Sequence, residues 1–307
     1  MNHSGVTPLA FRSGFVTLVG RPNVGKSTLM NAIVGQKVSI VADQPQTTRA
    51  QIRGVRTTDA SQVVFLDTPG IHRPRTLLGE RTNQRAIESL GSVDLVCLLV
   101  EANAELGPGD RFIAELIHGV GTPAFCVINK TDKADRAQLV DQLARLGAGT
   151  LGDFEAFVPV SARTGDGVDV LIGEIEARMS AGPRYYPEGT ITDQPESFLA
   201  AEFLREQLIA GAREELPHSI AVVVDELEMR ETRRGEPLLA LRAVVRVERD
   251  SQKGIVIGRG GERLKSAGTA ARLELERLLG VRVHLETIVR VDPDWQRRAH
   301  ALDRLGF

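Results

Sequence analysis

An apolar run, Phe15-Val16-Thr17-Leu18-Val19, leads straight into Gly20-Arg21-Pro22-Asn23-Val24-Gly25-Lys26-Ser27, and a helical pattern follows to Val34. The eight residues fit G-x-x-x-x-G-K-[ST], a phosphate-binding loop. No other feature constrains the fold as much, because the motif requires a strand, a glycine-rich turn and a helix N-terminus in immediate succession. The glycines let backbone N–H groups curl around phosphate oxygens. Lys26 brings a positive charge to the β/γ-phosphates, and the Ser27 hydroxyl can ligate Mg²⁺. The helix N-terminus adds its partial positive charge, so the phosphate contacts are expected from residue 20 through Thr28. The loop alone does not separate ATP from GTP.

Apolar runs then alternate with helical patterns through the first 180 residues. The pattern predicts strands at 15–19, 51–56, 63–66, 95–100, 124–128 and 157–160. Helices are predicted at 26–34, 82–90, 110–118, 134–146 and 168–179. Such alternation implies an open, mostly parallel α/β sheet with helices on both faces, which binds ligands at the carboxyl ends of its strands. The stretch Ala181-Gly182-Pro183-Arg184-Tyr185-Tyr186-Pro187-Glu188-Gly189 breaks the rhythm and reads as a linker. One domain is therefore placed at 1–180, a linker at 181–190 and a second domain at 191–307. The second domain predicts a helix at 196–215, strands at 220–228 and 238–248, a helix at 252–257, a glycine-rich turn, a helix at 262–279 and a strand at 281–289.

Three further motifs fall at the ends of predicted strands. In Asp67-Thr68-Pro69-Gly70, the carboxylate can reach Mg²⁺ through a water, and Gly70 can offer its N–H to a γ-phosphate. In Asn129-Lys130-Thr131-Asp132, Asp132 would accept hydrogen bonds from the N1–H and 2-amino groups of guanine. Adenine lacks both donors and would leave a buried carboxylate unpaired. In Ser161-Ala162-Arg163, the Ala162 N–H can contact guanine O6. Each motif alone also reads as turn or cap chemistry. In this order, together, they point to GTP or GDP with Mg²⁺. The set resembles the translation-factor-like class of P-loop GTPases.

That resemblance implies two switch segments. Residues 39–49 are polar and contain Pro45. In GTPases this place holds a threonine that completes the Mg²⁺ shell only when γ-phosphate is present. Thr47 and Thr48 both qualify, and related GTPases with Thr-Arg here favour Thr48. The metal set is then Ser27, Thr48 and Asp67. The second switch would run from Asp67 through His72-Arg73-Pro74-Arg75 toward Arg81. After Gly70 comes Ile71, where Ras-like GTPases have a glutamine that orients the attacking water. Ile71 cannot hydrogen-bond water, so slow intrinsic hydrolysis is expected. Related GTPases with an asparagine at the place of Asn23 can bind K⁺, which neutralises developing charge. Asn23 also reads as a simple loop hydrogen-bonder. Catalysis would rest on Lys26, Thr48, Gly70 and Asn23.

In the second domain, Gly258-Arg259-Gly260-Gly261 follows Ile255-Val256-Ile257 and precedes a helix, within an α-β-β-α-α-β order. A G-x-x-G turn in that frame is the signature of a type II KH module. Its glycines let a phosphodiester chain approach the backbone, and the following helix N-terminus adds positive potential. Candidate contacts to single-stranded RNA are Lys253, Ile257, Gly258, Arg259, Gly260, Gly261, Arg263 and Lys265. The chain has a formal net charge of -2, so it offers no global basic field. Locally, from Arg246 to Lys265, six basic residues outnumber three acidic ones. Aromatic residues are only 4% of the chain, so backbone clamping and base edges are expected to outweigh stacking. The two cysteines, Cys97 and Cys126, sit in apolar runs and read as buried reduced thiols. The first 14 residues lack a long apolar stretch and no run approaches a membrane span, so a cytoplasmic location is expected.

A GTPase domain with the loop at 20–27, Gln46-Thr47-Thr48-Arg49, Asp67-Thr68-Pro69-Gly70 and Asn129-Lys130-Thr131-Asp132, joined to a KH module, resembles the bacterial Era family of GTPases. Val291-Asp292-Pro293-Asp294-Trp295 and Leu305-Gly306-Phe307 resemble that family's C-terminus, so the likeness covers nearly the whole chain. It implies an α/β P-loop GTPase domain followed by an α+β type II KH domain. It also implies binding to the 3′ end of small-subunit ribosomal RNA and to the 30S subunit during assembly, and peripheral association with membranes. A membrane-associated regulatory GTPase coupling growth to cell division is the alternative. A monomer is expected.

Overall fold

The structure is a computed structural model and describes residues 10–41, 48–71, 74, 76–210 and 216–305. It comprises two compact units. The first holds Met1–Gly35, Arg53–Asp67 and Ile87–Asp193, and the second holds Gln36–Ile52, Thr68–Ala86 and Gln194–Phe307. The units are therefore discontinuous in sequence.

Through the first 180 residues the chain runs β1 (Arg12–Gly20), α1 (Lys26–Val34), β2 (Ile52–Thr57), β3 (Ser61–Asp67), α2 (Leu77–Leu90), β4 (Leu95–Glu101), α3 (Pro108–Val120), β5 (Ala124–Asn129), α4 (Arg136–Gly147), β6 (Ala156–Pro159) and α5 (Val168–Arg178). The sheet order is β2-β3-β1-β4-β5-β6. β1 pairs in parallel with β3 and β4, β4 with β5, and β5 with β6. The link between β2 and β3 is too short for the crossover that parallel strands need, so β2 is the antiparallel edge. The central strands are apolar throughout because both faces are covered: residues 95–100 are all 0% exposed. Cys97 and Cys126 are free and buried. Burial pushes the Cys97 thiol up to about 12 and raises Cys126 as well. β1 has β3 on one side and β4 on the other, so the connections diverge beyond its carboxyl end, where such sheets bind ligands.

Several element bounds shift by a few residues from the sequence reading, and the larger shifts have local reasons. α2 starts at Leu77 rather than 82 because Thr76 caps it, its Oγ1 accepting from Gly79 N at 3.2 Å. The 181–190 segment is a strap on the first unit. Gly182 N donates to Phe11 O at 3.0 Å. Gln62 Oε1 accepts from Tyr185 N at 2.7 Å and Tyr186 N at 2.9 Å. Arg53 pairs with Asp193 at 2.7 Å, just past the strap. Its prolines and glycines shape an irregular but hydrogen-bonded path.

The second unit contains α6 (Glu196–Ile209), α7 (Leu216–Ser219), β7 (Ala221–Glu231), β8 (Pro237–Val247), α8 (Asp250–Ile257), α9 (Glu262–Leu279), β9 (Arg282–Val291) and α10 (Ala299–Arg304). α6 stops at Ile209 instead of 215, capped through Ala210 N to Glu206 O. β7 and β8 are antiparallel, β8 and β9 parallel. Alternate residues of β8, from Leu239 to Val247, join Leu199, Phe203, Ala271 and Leu275 in one core, and Ile40 packs in the same core. Beside it, Trp295 clusters with Leu78, Ala221, Ala301, Leu302 and Leu305. The Trp295 indole N–H donates to Ser219 O at 3.0 Å. Asp292 gathers Arg246, Arg304 and Arg298. The C-terminal pattern of acid, proline and tryptophan is thus a packing device.

Candidate nucleotide site and nucleic-acid groove

The phosphate loop is braced from several sides. α1 starts after Gly25, which has φ 98° and brings no capping side chain. A Cβ there would lie 2.3 Å from Asn129 Nδ2, so glycine is required. A helix N-terminus without a side-chain cap suits an anion. Lys26 is 6% exposed, and its Nζ donates to Gly20 O at 3.3 Å and Arg21 O at 3.1 Å. Burial pulls the ammonium down to about 8, against an opposing pull from Asp67. A buried cation of this kind fits a phosphate counter-charge.

Ser27 Oγ donates to Asp67 Oδ2 at 2.6 Å. One hydroxyl and one carboxylate are hard donors, and Mg²⁺ typically takes one or two carboxylates with substrate phosphates and waters. Among the described residues there is no cluster of three or more His, Cys, Asp or Glu side chains that could hold a metal by itself. The donor set therefore fits a metal shared with a nucleotide.

Asn129 sits between two loops of the site. It is 1% exposed; its Nδ2 donates to Val24 O at 2.8 Å and its Oδ1 accepts from Ala162 N at 3.0 Å. It ties the phosphate loop to the 161–163 loop, and the Ala162 N–H is engaged in that tie. Lys130 reinforces it, donating to Asn23 O at 2.6 Å and pairing with Glu101 at 2.9 Å. Arg21 pairs with the buried Asp110 at 2.8 Å, which also caps Gly107 N. Asn23 is left-handed at φ 65°, a conformation asparagine tolerates better than most residues.

Asp132 accepts from Ser161 Oγ at 2.7 Å and pairs with Arg163 Nε at 3.1 Å. The Ser161 hydrogen bond holds its carboxyl below the usual range, with Arg163 adding to the effect. A planar nitrogen donor already lies against the carboxylate expected to read guanine, whose own donor edge is a cyclic guanidine.

The structure thus brings residues 20–28, Asp67, Asn129, Lys130, Asp132, Ser161, Ala162 and Arg163 into the first unit. Thr48, Thr68, Pro69 and Gly70 belong to the second. Thr48 is 6% exposed and Ile71 3%. Thr47, His72, Arg73, Arg75, Gly306 and Phe307 lie outside the described residues.

In the second unit, Gly258, Gly260 and Gly261 all have positive φ, at 75°, 60° and 81°. Arg259, Gly260 and Lys265 are exposed; Lys253, Ile257 and Arg263 are partly buried. A groove of about 300 Å³ runs from Gly261 between α9 and β9, lined also by Leu264, Lys265, Thr269, Arg272 and Thr287. Two of the six basic residues counted in the sequence have structural partners: Arg246 pairs with Asp292 at 3.1 Å, and Arg263 Nη2 donates to Leu208 O at 3.0 Å. Both guanidiniums are therefore held within the fold, although the carbonyl is neutral and leaves the Arg263 charge in place. Sequence reasoning also missed Leu264, Thr269 and Arg272. Helical spacing from Gly261 and Lys265 would have reached them.

Residues 15–130 match the profile of the 50S ribosome-binding GTPases, and residues 215–296 that of the KH domain. GTPase Era of Mycobacterium tuberculosis (strain ATCC 25618 / H37Rv) is 50% identical over 300 residues, covering 97% of this chain and 99% of its own. GTPase Era of Mycobacterium sp. (strain KMS) is 49% identical over 299 residues, with the same coverage. A crystal structure of Era in complex with MgGDPNP and nucleotides 1506–1542 of 16S ribosomal RNA superposes with a TM-score of 0.89 at 37% identity, covering 96% of this chain and 99% of that one. A variant of Aquifex aeolicus Era bound to GDP.AlF4⁻ gives the same values.

Proposed function

The chain belongs to the Era family of GTPases, and from that premise we propose that it is a GTP-driven switch that binds the 3′ end of small-subunit ribosomal RNA and acts in assembly of the 30S subunit. It binds GTP and GDP and hydrolyses GTP to GDP and phosphate. One observation carries the RNA reading: a braced guanine-nucleotide site and a glycine-turn groove occur in one chain, and an Era structure of the same fold holds a GTP analogue and ribosomal RNA together.

In this reading Lys26 and the α1 N-terminus bind the β/γ-phosphates, and Asp132 reads guanine. Ser27, Thr48 and Asp67 would hold Mg²⁺, which offsets phosphate charge when bound. Gly70 donates its N–H to the γ-phosphate. Ile71 is buried and apolar, so it does not orient the attacking water, and intrinsic turnover is slow. K⁺ at Asn23 would supply the missing charge, and turnover in KCl against NaCl tests this, equal rates removing K⁺. GTP orders the two switch segments, and RNA affinity changes with them by the same coupling energy. A monomeric, cytoplasmic protein with peripheral membrane contact belongs to the same proposal. No helix among the described residues is long and apolar enough to cross a membrane.

Fluorescence anisotropy of a single-stranded RNA copying the 3′ end of small-subunit ribosomal RNA tests the switch. Protein loaded with a non-hydrolysable GTP analogue should bind much more tightly than protein loaded with GDP. Equal affinities would overturn it.

A further inference from the structure

Helix α6 is buried on most sides, yet it carries charge in its second half: Glu202, Arg205 and Glu206 are 8%, 1% and 6% exposed. Glu206 receives the Lys37 ammonium, and its Oε1 accepts from Val41 N at 2.7 Å. Lys37 also pairs with Glu274 of α9 at 2.6 Å and lies 5.2 Å over the Phe203 ring of α6. Between these contacts Ile40 is 0% exposed in the α6 core. On the far side of residues 42–47, Arg49 Nη1 donates to Ile220 O at 2.6 Å, and its guanidinium stands 5.6 Å over Trp295. Burial, then Arg205, pull Arg49 down to about 9, with Glu202 and Glu248 opposing. Arg205 itself is held by Glu202 through two bonds, at 2.8 and 2.6 Å. At the end of the same helix, Leu208 O accepts from Arg263, just past the glycine turn.

Buried charge is a poor way to gain stability, because desolvation consumes most of the Coulombic attraction. Well-packed apolar residues of similar volume often stabilise such a site as much as a buried ion pair does. A charged edge gripping Lys37 and Val41, with Arg263 of α9 taken two residues later, is better explained by selection of one arrangement. We propose that α6 is the relay by which the segment around Thr48 sets the RNA affinity of the glycine turn, with Lys37 and Glu206 as positioning residues. This rests on the nucleotide-gated RNA binding proposed above. A shift of residues 37–41 moves Glu206 on α6 and Glu274 on α9 together. α9 starts at the glycine turn and lines one side of the groove, and α6 holds its first turn through Leu208 O and Arg263.

The test uses the full chain with Mg²⁺ and the same labelled RNA, as wild type, Lys37→Met, Glu206→Gln and the double variant. The readout is the ratio of RNA Kd in GDP to that in the GTP analogue. Each single variant should lower the ratio about fivefold or more, and the double variant should add little to either. GDP and analogue affinities should stay within about twofold of wild type. Trp295, the only tryptophan, reports through its emission that its cluster remains folded. Lys37→Met alters no residue of α6, and with Trp295 emission as the check on folding it carries the test alone if Glu206→Gln does not fold. A coupled wild type with equally coupled variants would overturn the relay and leave the switch standing. Variants that lose RNA binding equally in both nucleotide states would show a purely structural role and also overturn it. An uncoupled wild type would remove the switch reading, and the relay with it.

Discussion

The molecule uses a glycine-rich turn before a helix twice, and the two turns are built differently. At the phosphate loop, Gly25 is pressed against Asn129, and Asn129 and Lys130 hold the backbone oxygens of Val24 and Asn23. At Gly258-Arg259-Gly260-Gly261, only Gly258 is crowded, a Cβ there meeting the Arg263 Cβ at 2.7 Å; Gly260 and Gly261 have nothing within 4 Å. A compact triphosphate has its charges in one place, so its donors must be fixed before it arrives. A phosphodiester chain passes by, and clearance matters more than fixation.

The largest effect tests the braced turn. Gly25→Ala should abolish GDP binding, by roughly three orders of magnitude, since the methyl displaces Asn129 and strains a left-handed residue; titration with a fluorescent GDP checks this. If it binds normally, the brace is dispensable. Next, Asp132→Asn should weaken GDP by about 3 kcal/mol, or ~100-fold, while favouring a base with an acceptor in place of the 2-amino group. Competition between guanosine and xanthosine diphosphates reads the exchange.

Smaller effects belong to the open turn. Gly258→Ala should cost about 1–2 kcal/mol of unfolding free energy and weaken RNA binding, whereas Gly260→Ala should cost about 1 kcal/mol or less, from backbone strain alone. Urea melts of the two variants sharpen the contrast, and equal losses would show that the turns are braced alike. Smallest, Lys265→Ala should reduce RNA affinity only a few-fold and lower the slope of log Kd against log salt by about 0.7, one phosphate contact on a single strand.

Most of the fold was legible because its signals are local. Lys26–Val34 and Glu262–Leu279 follow glycine turns at their starts, and their expected and observed bounds agree. β4 and β5 are apolar on both faces and could be nothing but central strands. The motif residues of the nucleotide site were equally legible, because phosphate and guanine chemistry demand particular atoms at strand ends. Their partners were not. Nothing near Asn129 in sequence says that its amide spans Val24 and Ala162, and nothing near Asp110 says that it holds Arg21. The basic count around the glycine turn carried no direction: Arg246 points to Asp292 and Arg263 to Leu208 O.

From its sequence alone this protein is a P-loop GTPase joined to a type II KH module, since strand–turn–helix grammar and the atoms that recognise phosphate and guanine are written in short contiguous stretches. Only the tertiary structure decided that residues 36–52 and 68–86 join the second compact unit, that the 181–190 segment straps the first, and that α6 collects Lys37, Val41 and Arg263. Those outcomes depend on contacts between residues far apart in the chain, such as Lys37 with Glu274, 237 positions away. Burial and charge pairing select such contacts only after the chain has closed on itself.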